Sequence, residues 1–162
     1  MRIFFVLFVC SFLSLTTHGF GDFTLKNPKG WDCITDTEQL PTKIKMICIA
    51  AGKWDFTPSI NLASEESDLV LDKYVKRAKE YHELTADTHC CYLGSIKTAA
   101  GEAKLLQIDR ATAWGQMRFI QAAILIDGVA YVMTATCLQK DFAVFFREFF
   151  QSMKTFTKVG NK

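Results

Sequence analysis

The sequence predicts an α+β fold: an antiparallel β-sheet of about six strands, covered by helices on its faces as an α/β/α sandwich. Three observations carry this. Residues 116–126 and 129–138 are two largely apolar runs separated by Asp127-Gly128, the dipeptide that a type I′ hairpin turn favours. Within these runs, FIQAAILI and VAYVMTATCL do not alternate apolar with polar residues, so both faces of their sheet are expected to be covered. Two stretches at residues 65–84 and 142–156 carry apolar residues three and four positions apart, the spacing of one helical face.

In chain order, Phe23-Thr24-Leu25 begins a short strand that the turn Asn27-Pro28-Lys29-Gly30 stops. Residues 43–50 and 59–63 read as strands on either side of the loop Ala51-Gly52-Lys53-Trp54-Asp55. The first helix is expected over 65–84, with Leu71, Tyr74, Val75, Ala78 and Tyr81 or His82 on its apolar side. Glu65 and Glu66 at its start suit the positive end of a helix dipole. Strands at 90–97 and 103–110 flank Ala100-Gly101, and the apolar hairpin follows. Asp141 is placed to cap the last helix, whose stripe is Phe142, Phe145, Phe146, Phe149, Phe150, Met153 and Phe156. Such side chains are worth roughly 1.5–3 kcal/mol each when fully buried. That makes this helix a main support of the core, with Phe145, Phe146 and Phe149 plugging it onto the sheet.

The N-terminus has a different character. Met1-Arg2 is followed by an apolar run from Ile3 to Leu15 and then by Thr16-Thr17-His18-Gly19. Charge, apolar core and small-residue exit together read as a secretory signal peptide. As a helix the run would span about 20 Å, short of the roughly 30 Å hydrocarbon core of a bilayer. Residues 1–19 are therefore expected to be removed on export, with cleavage after Gly21 as the alternative. That leaves 20–162 as a single domain with no transmembrane span. The bulky Leu7-Phe8-Val9 before Cys10 disfavours a lipid anchor there.

Charge and motifs exclude more than they assign. The chain holds 19 Lys and Arg against 17 Asp and Glu, with no basic cluster, so nucleic acid is not an expected ligand. No glycine-rich phosphate loop, HExxH, GxSxG or CxxC occurs. Past the leader the histidines are His82 and His89, the latter directly before Cys90-Cys91. Neighbouring strand residues point to opposite faces, so these two thiols do not converge on one ion. No catalytic residue, metal ligand or cofactor is expected. The cysteines past the leader are Cys33, Cys48, Cys90, Cys91 and Cys137, an odd set, so at least one stays free or pairs between chains. Cys33 and Cys48 lie symmetrically about Leu40-Pro41 and face each other if the flanking segments pair as antiparallel strands. Such a bridge is worth roughly 3 kcal/mol in the chain-entropy model; buried free thiols are the competing reading.

Several segments together resemble the PsbP/Mog/DcrB-like superfamily, as an exported bacterial member, over residues 22–158. They are Pro28-Lys29-Gly30-Trp31 after a short strand, Asp127-Gly128 with Tyr131-Val132-Met133-Thr134-Ala135-Thr136, Asp141-Phe142 through Phe149, and Lys154-Thr155-Phe156. The resemblance implies an antiparallel sheet between helices and a mostly non-enzymatic company: a photosystem accessory subunit, a Ran-binding protein, envelope proteins and effector chaperones. The effector chaperones lack signal peptides, so the leader points away from that branch. No functional residue carries over. The expectation is an exported, periplasmic or extracellular, non-catalytic binding or assembly protein of the cell envelope, with a protein partner. A small exported thiol- or carboxylate-dependent enzyme and a structural envelope component are the alternatives, and contact of the mature chain with a membrane surface stays open. The expected contact residues lie on loops: Trp54 with Phe56 between two strands, and Trp114 in Ala113-Trp114-Gly115 at a hairpin tip. Loops carry function more often than strand interiors, and tryptophan is enriched at binding hot spots. The competing reading folds each indole back over the edge of the core.

Overall fold

The computed structural model describes residues 23–35 and 38–158. The expected leader and its cleavage site lie outside the described residues. The elements are β1 (Phe23–Thr24), β2 (Asp32–Ile34), β3 (Ile44–Ile49), β4 (Ser59–Glu66), α1 (Leu71–Glu83), β5 (Thr88–Thr98), β6 (Gly101–Thr112), β7 (Gly115–Ile126), β8 (Val129–Leu138), α2 (Phe142–Lys154) and β9 (Thr157–Lys158). One antiparallel sheet of seven strands runs in the order β2-β3-β4-β8-β7-β6-β5, and β1 pairs with β9 in a separate ribbon. The main sheet has one strand more than expected. The addition is β2, three residues long and too short to show a period.

Strands β5 to β8 form a meander of hairpins, and β4 docks along the far side of β8. Asp127 and Gly128 both take positive φ, 51° and 77°, as a type I′ turn requires of its central residues. β8, which follows this turn, pairs with β4 along the whole of Ser59–Glu66. Glu65 and Glu66 pair with Ala130 and Val129 of β8, so they close a strand and do not open the helix. Ladder hydrogen bonds outweigh local helix propensity here, and α1 starts at Leu71 instead. The Glu65 carboxylate accepts from Lys43 Nζ at 2.9 Å and from the Tyr74 hydroxyl at 2.7 Å, tying β4 to α1.

The sheet separates two unequal cores. On the α2 side, Phe145, Phe149 and Met153 pack with Phe156 against Met46, Cys48, Ile60, Leu62, Leu105, Ile120, Ile124, Tyr131 and Met133. On the α1 side, Val75 packs against Cys90, Leu106, Ile108 and Ala123. The aromatic stripe of α2 is thus partly as expected. Phe146 is not a plug: it is 40% exposed, on the flank of the helix. Phe156 lies beyond the helix end and is fully buried, with Phe23 stacked on it at 5.3 Å. Asp141 makes no side-chain capping bond, because a 3-10 turn over residues 139–141 leads into α2 and leaves it in helical backbone geometry.

A strap over residues 25–31 lies along α2. Ser152 Oγ donates to the Lys26 carbonyl at 2.6 Å, and Lys26 N–H donates to Thr155 Oγ1 at 2.8 Å. Trp31 sets its ring edge-on to Phe145 and Phe149 at 5.9 and 6.0 Å. The strap ends in β2, where the register places Cys33 opposite Cys48 and a disulfide joins them, with Cα atoms 4.1 Å apart.

Candidate functional site

The loop between β3 and β4 is closed by the Ala50 N–H donating to the Pro58 carbonyl at 2.9 Å. Inside it Gly52 has φ +108°, and a Cβ there would stand 3.2 Å from Trp54 Nε1, so glycine meets both a backbone and a space requirement. Trp54 Nε1 donates to the Ala51 carbonyl at 3.0 Å, and its indole packs edge-on to Phe145 at 4.9 Å. Trp54 is therefore folded back onto α2, although 37% of it stays exposed.

The β6–β7 turn carries Trp114. Thr112 Oγ1 donates to the Gly115 carbonyl at 3.0 Å and accepts from the Trp114 N–H at 3.2 Å, while Gly115 takes φ 113°. The turn is thus fixed by its own residues, and Trp114 projects from it 42% exposed. Phe56 meets it across the gap between loops, with ring centroids 5.9 Å apart at 63°. Next to Phe56, Asp55 forms an ion pair with Lys140. The hydrogen bond from Lys140 holds the Asp55 carboxyl below the usual carboxylate range, and the same bond holds Lys140 above the usual lysine value. Between these groups lies an open cleft of about 490 Å³, lined by Asp55, Trp114, Gln116, Leu138, Gln139 and Lys140.

The structure thus brings both expected loops to one end of the sheet and joins Phe56 to Trp114. Trp54 turns to the other side, onto α2. Sequence reasoning missed Lys140 and Leu138, which belong to the β8–α2 junction. Asp55, between Trp54 and Phe56, was the nearest available signal.

Elsewhere one polar cluster centres on Asp109. Asp109 receives Arg118 through Nε and Nη2, both at 2.7 Å, and Gln107 at 3.0 Å. Arg118 also lies 5.0 Å from the Phe142 ring centroid. His89 stands opposite Asp109 in the β5–β6 register, and Cys91 opposite Gln107. Cys90 points the other way, into the α1-side core. Burial pushes the Cys90 thiol up to about 11 and the Cys137 thiol to about 12, so both are protonated at neutral pH. Among the described residues, no three His, Cys, Asp or Glu side chains gather as a metal would need.

No protein-family model and no curated protein matches the chain. Solved structures do. LpqN of Mycobacterium tuberculosis, described as involved in cell envelope biogenesis, superposes with a TM-score of 0.63 at 13% identity, covering 86% of each chain. The cyanobacterial PsbP of Synechocystis gives 0.56 at 8% identity, over 90% of this chain and 98% of that one. The Saccharomyces cerevisiae Ran-binding protein Mog1p gives 0.56 at 16% identity, over 85% and 90%.

Proposed function

The chain has the PsbP/Mog-like fold, and from that premise we propose that it is an exported, non-catalytic accessory protein of the cell envelope. Its Trp54–Phe56–Trp114 end receives a protein partner. The observation that carries this reading is the Phe56–Trp114 pair beside an open cleft. A tryptophan held out from a rigid turn loses little conformational freedom on binding and offers a large apolar surface with one polar edge. The Asp55–Lys140 pair at the rim supplies the polar border that such a contact commonly has. Trp54, anchored on Phe145, supports this end from behind.

The envelope setting is supported by the leader-like N-terminus and by the fold shared with LpqN, and the protein partner by the fold shared with a Ran-binding protein. A non-catalytic role accords with the chemistry of the groups at hand. The Asp109 carboxylate is occupied by Arg118 and Gln107, and the buried thiols are protonated.

The test uses a photo-crosslinking residue at Gln116, on the wall of the same cleft, and, as a control, at Lys76 on the exposed side of α1, in the protein's own cells. One defined adduct at 116 and none at 76 is expected. Trp114→Ala should cut recovery of that partner at least about tenfold while shifting the melting temperature by only a few degrees. A large loss of stability, or unchanged recovery, returns Trp114 to the scaffold.

A further inference from the structure

The sheet has two edges, and they are built differently. At one, β2 is three residues long, carries Asp32 and is fastened to β3 by the Cys33–Cys48 bridge. At the other, β5 runs for 11 residues, and β6 is its only strand neighbour among the described residues. A long free edge presents a row of backbone donors and acceptors to any other strand, and proteins ordinarily blunt it with charge, proline, short length or a bulge. From Thr88 to Ile96 this strand has no Asp, Glu, Lys, Arg or Pro. Tyr92 and Leu93 stand 51% and 42% exposed in its middle. Of these devices the middle of the strand carries a bulge, between Tyr92 and Gly94, with regular ladder on both sides of it.

We infer that β5 is a self-association edge, along which two copies of this chain pair antiparallel into one continuous sheet. The charge pattern selects a second copy as the occupant. The neutral run is bounded by Asp87 at one end and by Lys97 at the other. A two-fold axis across β5 brings Asp87 of each copy to the Lys97 end of the other, so this pair of opposite charges meets twice. Two-fold contacts of this kind use the same patch on both chains, so each residue acts twice. Tyr92 and Leu93 fall near the axis, where both copies bury them together. This edge is separate from the Trp114 cleft and does not depend on its role.

Sedimentation equilibrium of the mature chain across a broad concentration range tests this directly. The expected result is a reversible dimer. Leu93→Lys, which changes an exposed side chain and leaves the core intact, should give the mass of one chain. Lys97→Asp should weaken the dimer about tenfold, since two favourable surface pairs become two repulsions. Adding Asp87→Asn removes that repulsion and should recover part of the loss; asparagine tolerates the φ of 55° at that position. A wild-type chain that stays monomeric overturns the inference. So does a dimer that ignores Leu93→Lys, which would place the contact elsewhere. Failure of Asp87→Asn to relieve Lys97→Asp overturns the antiparallel arrangement.

Discussion

The two faces of the sheet are covered by helices of the same length, 13 residues each, with opposite compositions. The inner side of α2 is aromatic: Phe145 and Phe149 are buried with Met153, and Trp31, Trp54 and Phe142 pack around them. The inner side of α1 buries Val75 and His82, with Leu71, Tyr74 and Ala78 partly buried around Val75. Much of its attachment is polar, through Tyr74 to Glu65, Asp72 to Lys104 and His82 to Gln121. Apolar burial is non-directional and scales with area, whereas a hydrogen bond or ion pair fixes position but adds little net stability. The α2 face therefore carries most of the fold's stability. The α1 face fixes where its helix sits.

That contrast is breakable. Phe149 has no exposed surface, and Phe149→Asp leaves an unpaired carboxylate among aromatic rings. A loss of more than about 4 kcal/mol is expected in urea denaturation. The Cys33–Cys48 bridge fastens the Trp31 strap on the same face, and replacing both cysteines by serine should cost about 3 kcal/mol. Reductant should lower the melting temperature of the wild type and leave the serine variant unmoved. On the opposite face, Val75→Ala empties the centre of the smaller core and should cost about 2 kcal/mol. A Val75→Ala loss as large as that of Phe149→Asp would abolish the asymmetry.

What could be read in advance follows the range of the interaction that decides it. The Asp127-Gly128 turn was legible because its two φ angles are set by its own residues. The α2 stripe was legible in its inner members, Phe145 and Phe149, which repeat at helical spacing. Phe146 misled because the stripe is wider than the surface it meets. The start of α1 misled because Glu65 and Glu66 answer to β8, more than sixty residues away. The candidate site divides in the same way. The exposed Trp114 at its turn follows from local Thr112 and Gly115 geometry. Its contact with Phe56, and the Asp55–Lys140 pair separated by 85 residues, depend on strand order. No local pattern encodes that order.

The smallest expected effect concerns the helix on the polar face. His82 is 6% exposed on the inner side of α1, with Nε2 3.1 Å from Gln121 Oε1. Burial holds its imidazole below the usual histidine value; the hydrogen bond to Gln121 opposes this, and the charge of Arg110 adds to it. In the unfolded chain the ring takes a proton at about pH 6.5, whereas in the fold it takes one only at lower pH. Between those two values the unfolded state binds more protons, so acidification favours unfolding there. The contribution is whole above about pH 6.5 and falls away as pH drops toward the folded value. His82→Gln keeps a hydrogen-bonding side chain without a titrating group. The unfolding free energy of the wild type should therefore decline relative to this variant between neutral pH and about pH 5.5, above the range where most carboxylates titrate. Parallel curves would mean that His82 is protonated as easily in the fold as outside it. The polar face would then open to water at α1, and the contrast between the faces would be one of order as well as of composition.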